Sequence, residues 1–213
     1  MIGPVSRQTW RRVALAAFLV ALFVSRGCNL GDKALHHDES LFGYYSYNLS
    51  TYGSYQYDPI LHGPLLIELV AGGFRLFGDN DTTLRLVPFV CGLLLFALVL
   101  LLRPWLGRQG TLAALLLLLV SPDLCYYSRF LRNDVLFLML TMLNLVAIAW
   151  TLRGKGAWPI VLWPVSLALL VSNKENVVFL AASQMGFALL WIALDTRQVL
   201  QHSRRYEIWK REP

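Results

Sequence analysis

Apolar residues fall in long blocks along this chain, and the polar ones gather between them. Six blocks stand out, at 9–25, 84–102, 110–127, 135–152, 157–171 and 177–194. The last five approach the roughly 20 apolar residues that a helix needs to cross about 30 Å of hydrocarbon. The first is strictly apolar only over 13–24 and follows Arg11-Arg12, which is also the layout of a signal peptide. Ser25-Arg26-Gly27 and Gly27-Cys28-Asn29 are poor cleavage sites, so the block reads as an uncleaved anchor. The pattern predicts an all-α polytopic membrane protein of about six spans. It forms a single membrane domain: a first span at 9–25, an external loop at 26–83, five spans within 84–194 and a basic cytoplasmic tail at 195–213.

The long loop holds further periodicity. Leu41, Tyr45, Leu49 and Tyr52 share one helical face, predicting a helix over 40–52, and Pro64 opens a second over 64–77. Residues 53–59 between them read as turn and extended chain. The second helix contains Glu68 and Arg75, so it is either a short span or a helix on the membrane surface. Charge separates the two. On the surface, it leaves Arg7, Arg11, Arg12, Arg103, Arg108, Arg153, Lys155, Arg197, Arg204, Arg205, Lys210 and Arg211 inside, twelve of nineteen basic residues. As a span it would reverse every later loop and leave eight inside against eleven outside, contrary to the positive-inside tendency. The surface reading places both helices beside the membrane and ten of thirteen acids outside.

Composition agrees with a bilayer as solvent, being 56% hydrophobic and 15% charged. The net charge of +6 is spread over short loops and the tail, so topology accounts for it and nucleic acid is not an expected partner. The tail suits an anionic cytoplasmic leaflet. Cys28, Cys91 and Cys125 have no metal-ligand spacing, and a disulfide scaffold is not expected, although Cys28 and Cys125 fall on the same side.

The candidate chemistry lies outside the spans. His36-His37-Asp38-Glu39 sets two imidazoles beside two carboxylates at the start of the first surface helix. Two readings compete there: Asp38 as a helix cap for free backbone N–H groups, or as a general base taking the proton of an attacking hydroxyl, with its neighbour orienting substrate. Asp58-Pro59 and His62-Gly63-Pro64 join the two surface helices, either as a rigid positioning loop or as plain turn chemistry. Arg85, at the external end of the second span, could pair with a phosphate or snorkel to the interface. Arg132, Asp134 and Lys174 fall on the same side as Asp38, and that shared sidedness is more informative than any single pair. A divalent cation among His36, Asp38, Glu39 and Asp134 is compatible with the residue types, though the spacing dictates no geometry.

Together, His37-Asp38-Glu39, Tyr57-Asp58-Pro59, His62-Gly63-Pro64-Leu65, Leu76-Phe77-Gly78, Arg85-Leu86, Ser128-Arg129-Phe130 to Asp134 and Lys174-Glu175-Asn176 resemble a family signature. It is similar to that of the C-type-fold membrane glycosyltransferases of the protein O-mannosyltransferase and aminoarabinose-transferase superfamily. The nearest branch is a bacterial and archaeal one associated with flippase activity and protein glycosylation. The resemblance implies inverting transfer of a sugar from polyprenyl phosphate to a hydroxyl of a protein or glycolipid acceptor, on the non-cytoplasmic face of the inner membrane. Asp38 would be the base, and Glu39 would support it or the sugar. Arg85, together with Arg132 or Lys174, would neutralise the leaving phosphate, Asp134 would shape the site, and His37, Asp58 and His62 would contact lipid or acceptor. Relatives have about twice as many spans, so the chain is expected to be an N-terminal portion.

The alternative is a non-catalytic membrane component, such as a lipid-linked-sugar flippase or a subunit of a glycosylation complex. The middles of all six predicted spans lack Asp, Glu and Lys, which counts against proton-coupled transport but not against a structural subunit.

Overall fold

A computed structural model of the chain describes residues 7–154 and 156–209, the side chains of Arg7 and of residues 195–209 excepted. The charges counted at Arg7, at Lys155 and along the tail therefore lie outside the described residues. The described chain is helical throughout: α1 (Arg7–Gly27), α2 (His37–Tyr52), α3 (Leu65–Phe77), α4 (Asp81–Leu84), α5 (Leu86–Leu101), α6 (Arg103–Val120), α7 (Pro122–Tyr127), α8 (Asn133–Leu152), α9 (Trp158–Asn173) and α10 (Val177–Trp209). A 3₁₀ turn at Pro59–Leu61 joins α2 to α3. The chain divides into two compact units, Met1–Lys174 and Glu175–Pro213.

Among the described residues four segments are long and apolar enough to cross a membrane: Gln8–Gly27, Asp81–Leu101, Asn133–Leu152 and Val177–Leu194, with Trp158–Asn173 a shorter apolar helix. The protein is thus an all-α polytopic membrane protein. The block at 110–127 differs from expectation. It is split between α6 and α7 at Ser121, whose ψ of 118° is extended. Pro122 causes the split: its ring disfavours a helical residue before it, and Ser121 Oγ caps the new helix by accepting from Leu124 N at 3.4 Å. Gly107, at φ 66°, breaks α6 again near its start.

In the first unit, α2 and α3 form a helical hairpin. The helix α2 ends at Gly53, whose φ of 65° is the left-handed conformation glycine adopts without cost. Arg75 of α3 completes that terminus, donating to Leu49 O at 2.8 Å and Ser50 O at 3.3 Å. The 13 residues of α3 rise about 20 Å, short of the hydrocarbon thickness. Its buried Leu66, Ile67, Val70 and Ala71 face the rest of the unit. The helices α8 and α9 are pinned by Asn144, which donates to Ser166 Oγ at 2.8 Å and Trp163 O at 3.3 Å. Such bonds hold apolar helices together where no hydrophobic force acts between them.

The ends of α5 and α8 remote from Arg85 and Asn133 carry an aromatic and basic belt. Trp150 Nε1 donates to Leu101 O at 3.2 Å, and the Arg153 guanidinium lies 4.1 Å from the Trp105 ring centre. Beneath it pack Leu98, Leu102 and Val146. The opposite ends of α5 and α8, with the start of α2, hold the polar residues singled out above.

Candidate functional site

The N-terminus of α2 is organised by an unexpected cap. His36, not Asp38, is the N-cap, and its Nδ1 accepts from Asp38 N at 3.3 Å. Glu39 reaches back to accept from His36 N at 3.1 Å, the reciprocal half of a capping box. The His36 ring also meets Phe130 edge-on, with centroids 5.4 Å apart. Because these two residues satisfy the helix end, the Asp38 carboxylate is left to point elsewhere.

Glu39 is 1% exposed and Arg85 2%. They form a two-pronged ion pair, Nε to Oε1 and Nη2 to Oε2, both at 2.8 Å. Arg85 Nη1 also donates to Leu30 O at 2.9 Å and Lys33 O at 3.0 Å, and Leu131 N donates to Glu39 Oε1 at 3.1 Å. Four segments of chain thus meet on one buried pair: residues 30–36, α2, the start of α5 and the 128–132 loop. Burial alone would push the Glu39 carboxyl up. The Arg85 guanidinium, the Leu131 and His36 N–H groups and the Arg85 charge outweigh it, and the carboxyl is held below its usual range.

Asp38 faces a second cluster. Its Oδ2 lies 3.6 Å from Arg132 Nε, which lies 3.5 Å from Asp134 Oδ2; Asp134 Oδ1 accepts from Lys174 Nζ at 2.8 Å. Asp38, Arg132, Asp134 and Lys174 thereby form an alternating row along one rim of a cleft of about 80 Å³ that His62 also lines. The row is partly exposed, and exposed ion pairs contribute little stability.

Structure thus brings five of the nine expected residues to one cleft: Asp38, His62, Arg132, Asp134 and Lys174. Glu39 and Arg85 lie behind it, lining a separate cavity. Asp58 supports the turn, accepting from Ile60 N at 3.0 Å and from Tyr45 Oη at 3.2 Å. Burial and that bond to Asp58 push the Tyr45 phenol up. His37 is exposed and lines neither cavity. Among the described residues no three His, Cys, Asp or Glu side chains gather as metal ligands. Arg132 stands between Asp38 and Asp134, and Glu39 is committed to Arg85, so the expected cation set does not converge.

Two buried residues escaped the sequence reading. Asn133 Nδ2 donates to Leu61 O at 3.3 Å, and Asn173 Nδ2 donates to Asn133 O at 3.2 Å. They tie the His62 turn to the start of α8 and the end of α9. The only signal was position, each lying next to a charged site residue. The turn itself is tight: His62 has φ 62°, and Gly63 N donates to Asn173 O at 3.2 Å. A Cβ at Gly63 would overlap the Ser172 carbonyl. Gly63→Ala is therefore expected to cost about 1–3 kcal/mol, read as a lower unfolding midpoint, whereas Gly53→Asn, at a left-handed position open to solvent, should leave it nearly unchanged.

The sequence profile described as dolichyl-phosphate-mannose-protein mannosyltransferase matches residues 61–206. Among solved structures, ArnT from Cupriavidus metallidurans in the apo state has a TM-score of 0.68 and 21% identity, over 89% of this chain and 36% of that one. The same protein bound to undecaprenyl phosphate gives a TM-score of 0.69 and 20% identity, over 90% and 37%. This chain therefore spans a little over a third of the length of the structures it matches. No curated protein matches it.

Proposed function

Because this chain belongs to the dolichyl-phosphate-mannose-protein mannosyltransferase family, we propose that it forms the catalytic face of a membrane glycosyltransferase that moves a sugar from polyprenyl phosphate to an acceptor hydroxyl. The observation that carries this is the release of Asp38 from capping and its alignment with Arg132, Asp134 and Lys174 at one cleft. Asp38 takes the acceptor proton as the hydroxyl oxygen attacks the anomeric carbon. The bond from that carbon to the phosphate oxygen breaks, the sugar inverts, and the polyprenyl phosphate leaves with the added charge.

Developing phosphate charge is the main electrostatic demand of such a step. Arg132 and Lys174 meet it, and Asp134 holds both cations in place. Arg85 is assigned instead to the scaffold, since its donors are spent on Glu39 and two backbone carbonyls. Glu39 is a positioning residue for the same reason. The cleft of about 80 Å³ is smaller than the several hundred Å³ a ligand site occupies, so these residues form one wall of the site. The acceptor, protein or glycolipid, closes on that wall from the non-cytoplasmic side of the inner membrane.

The test is incubation of the full-length membrane protein with a labelled polyprenyl-phosphate sugar and a hydroxyl acceptor. A covalent glycosylated product supports the reading. Donor that crosses the bilayer with no product formed supports instead the flippase or subunit role. Lys174→Gln is expected to lower transfer by roughly 10²-fold, in the range seen for removal of one charge-stabilising group, with a smaller change in donor affinity.

A further inference from the structure

Asp38 and Glu39, adjacent in sequence, line two different cavities with no lining residue in common. The Glu39 side opens on a cavity of about 360 Å³ between the end of α1 and the segment running from α7 to Arg129, walled by Ser25, Lys33, Tyr126, Arg129 and Phe130 among others. Its charge is uncompensated. Glu39 and Arg85 cancel each other, while neither Lys33 nor Arg129 has a carboxylate within 4.0 Å among the described residues. Lys33 Nζ lies 5.4 Å from the Tyr126 ring centre, and Arg129 Nη2 donates to Cys28 O at 2.6 Å.

Behind the Ser25 wall stands a third cation. Arg26 is fully buried, donates to Ser25 Oγ at 2.8 Å and Leu118 O at 2.6 Å, and has a buried Nε with no hydrogen-bond partner. Its guanidinium also lies 5.0 Å from the Phe96 ring centre; these carbonyl, hydroxyl and ring contacts hold the group but leave its positive charge without a carboxylate within 4.0 Å among the described residues. The turns of α1 that lead up to the cavity expose Val20, Phe23 and Val24, a surface suited to acyl chains.

We infer that this cavity binds the phosphate of an anionic lipid headgroup, with Lys33 and Arg129 contacting the phosphate oxygens and Arg26 supplying charge from behind. The inference does not depend on the transferase reading, since it concerns a different cavity and its test reads binding alone. The phosphate could equally reach the cavity without acyl chains, and the experiment separates these sources.

The experiment measures binding of dioleoyl phosphatidylglycerol, dioleoyl phosphatidylcholine and inorganic phosphate to the purified full-length protein by native mass spectrometry. The expected result is at least tenfold tighter binding of phosphatidylglycerol than of phosphatidylcholine, with that preference lost in Lys33→Gln/Arg129→Gln. Arg129 also holds the Cys28 carbonyl, so Lys33→Gln alone decides where the double variant does not fold; it should reduce the preference at least threefold. Competition by millimolar inorganic phosphate assigns the site to free phosphate, and its absence assigns it to the lipid. An unchanged preference in Lys33→Gln overturns the inference.

Discussion

Glu39→Ala is expected to destabilise the protein by about 3–5 kcal/mol, enough to leave little folded material, because it strands a buried guanidinium without its partner. Arg85 would keep its bonds to Leu30 O and Lys33 O but lose both carboxylate contacts, while the Leu131 and His36 N–H groups would lose their acceptor. Glu39→Gln should cost less, since the amide oxygen can still accept one of those bonds. The measurement is the unfolding midpoint in a fixed lipid composition. The pH dependence follows the same pair. The folded carboxyl titrates below its unfolded value, so its stabilisation is complete above the ordinary carboxylate range. It declines as pH falls through that range and is gone once pH passes below the lowered folded value. Glu39→Gln should flatten that acid limb.

Asp38→Asn should do the reverse. It keeps the shape of the side chain and removes the basic oxygen. Nothing in the helix cap depends on it, because His36 and Glu39 satisfy the N-terminus of α2. Folding should be nearly unchanged, while transfer falls by about 10²–10⁴, the usual worth of a positioned general base. Donor affinity should be retained, since Arg132 and Lys174 remain, so the loss would appear in kcat rather than KM. Asp38→Glu should restore little, because an added methylene moves the carboxylate relative to Arg132 by more than such geometry tolerates.

The membrane-crossing helices were legible because their signal is additive: each apolar residue adds to the same block, and the blocks from 84 to 102 and from 135 to 152 reappear as Asp81–Leu101 and Asn133–Leu152. The helical hairpin of α2 and α3 was legible from Pro64, Gly53 and the spacing of Leu41, Tyr45, Leu49 and Tyr52. Where one residue overrules a block, the block misleads, as Pro122 shows. The candidate site was legible as a set of residue types, five of which meet at one cleft, but which carboxylate is committed to the scaffold was not. Whether Asp38 or Glu39 is the structural carboxylate depends on Arg85, 46 residues further along the chain. It depends also on His36 acting as a cap, a role that residue type does not announce. Asn133 and Asn173 were missed for the same reason: buried side-chain amides draw their meaning from partners that only folding brings near.

Sugar transfer per folded molecule of full-length Asp38→Asn protein separates a carboxylate that acts on substrate from one that holds the fold. The expected result is an unfolding midpoint equal to that of the natural protein, polyprenyl-phosphate-sugar binding retained, and transfer reduced by at least about 10². Transfer at the natural rate by the folded variant would contradict it.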